Sequence, residues 1–494
     1  MLFIALAIGL LGILQLFYGT FYSIHPDLAG GALSGRLAVT LGDAFAEYSL
    51  YFPPAEKAWF SLAARLSELT GLRLDLAIVL MTSTAVLFSG GLAYRIRQES
   101  VGATPLFLIV SVGVLVTVPI VFMNVFGLRE HLVVLGLWPY FVLRISDHDD
   151  AKIGWRTRLV LGLWLGATLL FKYLYSLVVL LVELADAAVQ RRPWAVLRVE
   201  NLVSGAIVAL YLFFWLVLDP SQREAIAVVV SAIDANLTDH RANLLNAAVN
   251  LALAIVFLLI ARIFKLPART TLIGLAMVVG AVIAAWIQSR WYIQHLLPVT
   301  MAYIAWWWMA RGKVATLWVV ALALLIAPAI FGAFIRTGFY QATVQELDTA
   351  IDQAGLSVEG KRVGVLIMNP SPLNQYLASS GAWRWNVSVN NSYVAAELYH
   401  LDKPENIGIA PPPVKLDVPG RKKLHDDMLR LWEDMPPDVL ILDHSRSWPL
   451  NYVEVKWTQV FSEDQRFRAF LAQYRPVLHH DGDLLDFKYY VRKD

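Results

Sequence analysis

Apolar runs of 14 to 21 residues recur along roughly the first 335 positions of this chain, and most of the charge lies in the connections between them. This alternation admits few folds. In a bilayer the backbone must satisfy its own hydrogen bonds, and a helix crosses the hydrocarbon with roughly 20 residues, or fewer where protein covers part of it. Runs fall near 2–21, 75–94, 104–124, 131–144, 158–171, 174–188, 201–218, 244–263, 270–288, 295–310 and 314–334. With 57% hydrophobic and 16% charged residues and a mean hydropathy of +0.55, the composition lies outside that of soluble domains. The expected architecture is a polytopic α-helical membrane protein of about 11 transmembrane helices with a C-terminal soluble α/β domain. The first run lacks a basic leading segment and a small-residue cleavage site, so it reads as a retained span.

The connections sort by charge. Arg95 and Arg97, then Arg144, Lys152, Arg156 and Arg158, then Arg191, Arg192 and Arg198, then Arg262, Lys265 and Arg269, and last Arg311 with Lys313 share one side. The positive-inside rule makes that side cytoplasmic. The segments at Asp27, Arg129–His131, Lys172 and Arg290–His295, with the C-terminus, then lie on the opposite side. This alternation requires a turn at Lys172, not one long helix over 158–188. The net charge of +2 points to no nucleic-acid partner, and the absence of cysteine excludes disulfides, thiolate metal sites and a cysteine nucleophile. Trp306, Trp307 and Trp308 read as an aromatic belt at the cytoplasmic face.

From about residue 336 charge, proline and asparagine rise, marking a boundary between a membrane domain, 1–335, and a soluble domain, 336–494. The stretches 363–368 and 438–443 read as buried strands, and 341–355, 420–433 and 464–474 as helices. A turn at Asp481–Gly482 separates two further strands. No glycine-rich phosphate loop follows the first strand, which argues against nucleotide binding.

Candidate chemistry gathers in a few places. Asp27 follows the first span after His25 and Pro26, where a carboxylate with water on one side is able to take a proton; the alternative is a helix cap or solvated acid. Asp43 and Glu47 follow in the same loop, 22–74, and Pro53–Pro54 opens a segment, 55–70, able to lie along the interface. Arg129, Glu130 and His131 begin a span, which is costly unless they face a polar cavity. Lys172 stands alone between Arg158 and Glu183, and such an ammonium costs ~2.5–3.5 kcal/mol on insertion scales; a phosphate would supply its missing partner, and the alternative is a turn lysine that snorkels to the headgroups. Arg290, Tyr292 and His295 lie in QSRWYIQHLLP. Asp27, Asp43 and Glu47 leave room for a divalent cation, but their spacing matches no ligand pattern and no cofactor is required.

The order of Asp27, Gly42–Asp43 and Pro53–Pro54 resembles the first extracytoplasmic loop of the C-type (GT-C) membrane glycosyltransferases, which include protein mannosyltransferases and aminoarabinose transferases. Leu28 and Phe52 stand where that family often has an acid and a lysine. The resemblance implies that Asp27 is catalytic, that Glu130 is the second acid, and that Lys172, Arg129, Arg290 and His295 surround the donor phosphate. His131, Asp43, Glu47 and Tyr292 are then expected around the acceptor or sugar. It further implies transfer of a sugar from a polyprenyl-phosphate donor to an extracytoplasmic glycan, lipid or protein, with inversion. The membrane would be the bacterial inner membrane, with the N-terminus cytoplasmic and the C-terminal domain periplasmic. The competing expectations are a transporter or flippase, or a ligase or polymerase, of lipid-linked saccharides.

Overall fold

The computed structural model describes residues 9, 11–18, 24–42, 53–121, 124–146, 152–218, 240–288, 293–310, 341–366, 371–385, 426, 429–443, 464–482 and 486–493. Most of these are helical. In chain order the helices are α1 Pro26–Leu41, α2 Pro54–Thr70, α3 Leu74–Val101, α4 Pro105–Val121, α5 Arg129–Ser146, α6 Trp155–Leu169, α7 Ser176–Gln190, α8 Val199–Leu212, α9 His240–Ile263, α10 Ala268–Ile287 and α11 Ile293–Ala310. Five described segments are long and apolar enough to cross a membrane: Leu74–Val101, Tyr173–Gln190, Val199–Val217, Leu244–Ile263 and Ala268–Ile287. The run at 314–334 and most of 2–21 lie outside the described residues.

The chain divides into two compact units. One holds 1–17, 79–218 and 238–337; the other holds 18–78, 219–237 and 338–494. The segment 18–78 thus groups with 338–494, the part that carries the sheet.

In the first unit α5 is the axle: every residue from Glu130 to Ser146 is buried, as befits a helix apolar on all sides. It packs on α6, α10 and α11. Where lipid tails are as apolar as leucine, helices associate through close packing, which small residues permit. Gly162 and Gly166 of α6, four residues apart, do this against α8: a methyl group on either would collide with the α8 chain near Glu200 and Ser204. Lys172 ends the α6 segment, and the short 3-10 turn Tyr173–Tyr175 begins α7, so 158–188 is a hairpin and not one helix. The three tryptophans do not form the expected belt. Trp306 and Trp307 are buried against Phe257, and Trp308 stacks between Phe107 and Trp138, because the α11 face that carries them turns inward onto α4, α5 and α9.

In the second unit a five-stranded sheet has the order β2-β1-β3-β5-β4, with β1 Arg362–Leu366, β2 Trp383–Arg384, β3 Val439–Asp443, β4 Tyr474–Asp481 and β5 Asp486–Arg492. The apolar strands β1 and β3 are parallel and central; the β4–β5 hairpin adds antiparallel. These are the strands expected from sequence, and helices occur at 341–353 and Gln465–Leu471. The 371–379 helix and β2 pack against α1, where Arg36 donates to Ala382 O at 3.0 Å and stacks on Trp383. Gly31 and Gly35 bring α1 against Phe60 of α2, where any side chain would clash.

Candidate active site

The candidates in the first unit meet at one end of the helices. Glu130 opens α5, Lys172 sits in the α6–α7 turn, Gln288 follows α10, and His295 lies in the first turn of α11. Lys172 Nζ stands 2.6 Å from Glu130 Oε1 and donates to Gln288 Oε1 at 2.5 Å. His295 Nε2 is 3.4 Å from the same carboxylate oxygen, and Tyr175 donates to the His295 carbonyl at 3.3 Å. The charge of Arg129 also acts on Glu130. The ammonium that stood alone in the sequence is thus partnered within the chain, which answers how a charge is held in an apolar stretch. Glu130 is 3% exposed and Lys172 12%, so the lysine is the part of the pair that solvent or a ligand reaches.

His131 turns away from this group. Its Nδ1 accepts from Gly127 N at 3.0 Å, so Nε2 carries the proton and donates to Leu115 O at 2.9 Å. Adjacent helical residues face different directions, and the Glu130 face leaves His131 to fix the turn that precedes α5. Gln288 and Tyr175 were missed in the sequence reading. The alternation of ends held the signal, since it places the last residue of the 270–288 run beside Lys172.

At the other end a second group forms. Arg144 donates to Glu183 at 2.5 Å and to Glu200 at 2.6 Å, and Arg158 to Glu200 at 2.8 Å. Arg198 bridges Glu183 at 2.9 Å and Asp186 at 2.8 Å, and Arg269 reaches Asp186 at 2.8 Å. Arg97, from the end of α3, donates to Ser146 at 2.7 Å. The basic connections from α3 to α10 therefore converge, as the charge sorting required. Along α5 the two groups, at Glu130 and Arg144, are about 21 Å apart at 1.5 Å per residue.

In the second unit Asp27 lies in the first turn of α1, a segment read from sequence as loop. Pro26 starts the helix, His25 Nδ1 accepts the Asp27 N–H at 3.1 Å, and the carboxylate faces the positive end of the helix dipole. The Asp27 side chain is 65% exposed, with His25 Nδ1 3.9 Å away. It is open to water, as a group exchanging a proton needs to be. Pro54 begins α2, the helix expected after the proline pair. Asp43, Glu47, Arg290 and Tyr292 lie outside the described residues. Among the described residues no group of His, Asp and Glu is arranged to hold a metal.

No family profile and no curated protein matches the chain. Among solved structures it is similar to ArnT from Cupriavidus metallidurans bound to undecaprenyl phosphate, at 12% identity and a TM-score of 0.47, over 99% of this chain and 97% of that one. It is also similar to the archaeal oligosaccharyltransferase AglB from Archaeoglobus fulgidus in complex with an inhibitory peptide and a dolichol-phosphate, at 10% identity and a TM-score of 0.40, over 88% and 69%. Both are members of the GT-C superfamily, the group that the first loop of this chain resembles.

Proposed function

We propose that this protein is an integral-membrane glycosyltransferase of the GT-C type that moves a sugar from a polyprenyl-phosphate donor to an extracytoplasmic acceptor: a polysaccharide, a lipid-linked glycan or a protein. The observation that carries the proposal is the meeting of Lys172, Glu130 and His295 at the end of the helices opposite the arginine network. By the positive-inside rule the arginine end is cytoplasmic, in a bacterial inner membrane crossed by about eleven helices, and the Lys172 end faces the outer leaflet with the C-terminal domain.

In this mechanism Asp27 is the general base. It takes the acceptor hydroxyl proton as that oxygen attacks the anomeric carbon, the bond from the anomeric carbon to the phosphate oxygen breaks, and the electron pair leaves on the phosphate. Attack opposite the phosphate inverts the centre. Lys172, Arg129, Arg290 and His295 bind the phosphate and stabilise the charge growing on it, as prearranged cations do where water is excluded. Glu130 holds Lys172 in place between turnovers, and a lipid phosphate takes over as its counter-charge. Asp43, Glu47 and Tyr292 stand around the acceptor and sugar, while His131, turned away from the group, holds the turn before α5. Positioned proton transfer is worth ~10² to 10⁴ in rate.

The test uses purified protein in detergent with a polyprenyl-phosphate sugar, with sugar transfer or slow hydrolysis followed over time. Wild type consumes the lipid, and Asp27→Asn loses at least about 10²-fold in turnover while still binding it. Normal turnover in Asp27→Asn removes the base assignment. Movement of intact lipid between leaflets without consumption, measured in vesicles, replaces the reading with a flippase.

A further inference from the structure

Arg384 lies on β2, where the 371–379 helix and α1 pack against it, and it is 3% exposed. Its Nη1 donates to Asn374 Oδ1 at 2.6 Å. Its Nε and Nη2 are buried and donate to no described atom, and no described carboxylate pairs with it. Those two nitrogens form one edge of the guanidinium, the edge whose parallel N–H groups match the two oxygens of a carboxylate or phosphate. The chain uses that edge in just this way elsewhere. Arg73 gives Nε and Nη2 to the two oxygens of Asp75 at 3.1 and 2.5 Å, and Arg466 gives its pair to Glu433 at 3.0 and 2.6 Å.

A buried cation without a counter-charge is unfavourable, and here burial pushes the Arg384 pKa down to about 9. The surroundings nonetheless hold it in a fixed pose. Asn374 pins the far side of the guanidinium, and Gly30 of α1, one turn after Asp27, lies over the pair: a Cβ there would stand 3.0 Å from Asn374 Nδ2 and 3.6 Å from Arg384 Nη1. The neighbouring Gln375 donates to Ile24 O at 2.7 Å while its own Oε1 is buried without a donor.

We propose that the Nε–Nη2 edge of Arg384 is a binding site for an oxyanion that offers two oxygens in one plane, a carboxylate or a phosphate group. The site belongs to the second unit and stands independently of the glycosyl-transfer reading. Its ligand is either free anion or the same group carried on a larger molecule, with the anion itself as the recognised part.

The test titrates the whole purified chain with sodium phosphate and, separately, sodium acetate at constant ionic strength, following the melting midpoint. A saturable rise with either salt is expected. Response to phosphate alone assigns a phosphate ligand, response to acetate alone a carboxylate, and response to both the shared oxyanion chemistry. Arg384→Gln is expected to weaken the apparent affinity at least about tenfold, the loss of a bidentate charge-assisted pair. Asn374→Asp, which supplies the guanidinium with a carboxylate from within, is expected to do the same and is read in its place should Arg384→Gln not fold. Arg466→Gln, whose guanidinium already has its acids, is expected to respond as wild type does. No saturable response in wild type, as for a site completed by a buried water, overturns the proposal. So does undiminished affinity in Arg384→Gln or, should that variant not fold, in Asn374→Asp.

Discussion

The two ends of the helices in the first unit are charged in different ways. At one end four guanidinium groups, Arg144, Arg158, Arg198 and Arg269, interlock with Glu183, Asp186 and Glu200. At the other a single ammonium leans on one carboxylate and an amide, and an imidazole stands against the same carboxylate. Arginine is a rigid fork that holds several partners at fixed angles, whereas lysine is a point charge on a flexible stem that readily changes partners. The central arginine, Arg144, is 1% exposed against 12% for Lys172, while Arg269 at the rim of the network is 15% exposed. The arginine end is built to stay closed and tie five helices together. In the proposed mechanism the lysine end exchanges Glu130 for the donor phosphate.

The largest expected effect is at the closed end. Arg144→Leu leaves Glu183 with Arg198 alone and Glu200 with Arg158 alone in the interior, and breaking a buried ion pair costs about 3–5 kcal/mol. Melting in detergent should fall steeply or folded protein should not accumulate; a midpoint equal to wild type would show that the network is not structural. Next is Lys172→Gln, expected to lower turnover at least about 100-fold, or roughly 2.7 kcal/mol of barrier, while lowering the melting midpoint less than Arg144→Leu does. The double variant Lys172→Gln/Glu130→Gln sharpens this further. With both charges gone it should melt close to wild type and remain slow, separating the stability of the pair from its chemistry. Tyr140→Phe removes one hydrogen bond to Glu183, of 2.7 Å, and should cost about 1 kcal/mol of stability with turnover unchanged. Smallest is the stability effect of Asp27→Asn, about 0.3–1 kcal/mol from the lost interaction with the helix dipole, even though its turnover effect is large.

What could be seen in the sequence was what depends on neighbours along the chain. The solitary charge of Lys172 between Arg158 and Glu183 marked a turn, and the sorted basic connections marked one end of the helices, because lipid imposes both locally. The strands at 362–366 and 439–443 were legible as short apolar runs with turn residues around them. Pairings across long separations were not. Lys172 reaches Glu130, 42 positions earlier, and the sequence reading gave its counter-charge to a ligand instead. Glu183 and Asp186 were hidden as two acids inside an apolar run, although intramembrane acids are themselves a signal of partners. Helix α1 was legible only as part of a charged loop after the first apolar run; Gly31 and Gly35, which weaken helix propensity, are what let it pack on Phe60. The buried positions Leu28, Ala29, Ala32, Leu33 and Leu37 carried the helical spacing all along.

Single-turnover sugar release from a polyprenyl-phosphate sugar, wild type beside Lys172→Gln/Glu130→Gln, puts the contrast between the two ends to the most direct test. Wild type should release or transfer the sugar, and the double variant, melting near wild type, should do so at least about 100-fold more slowly. A wild-type rate in the double variant, or a wild-type protein that leaves the lipid-linked sugar intact, would contradict a catalytic role for the Lys172 end.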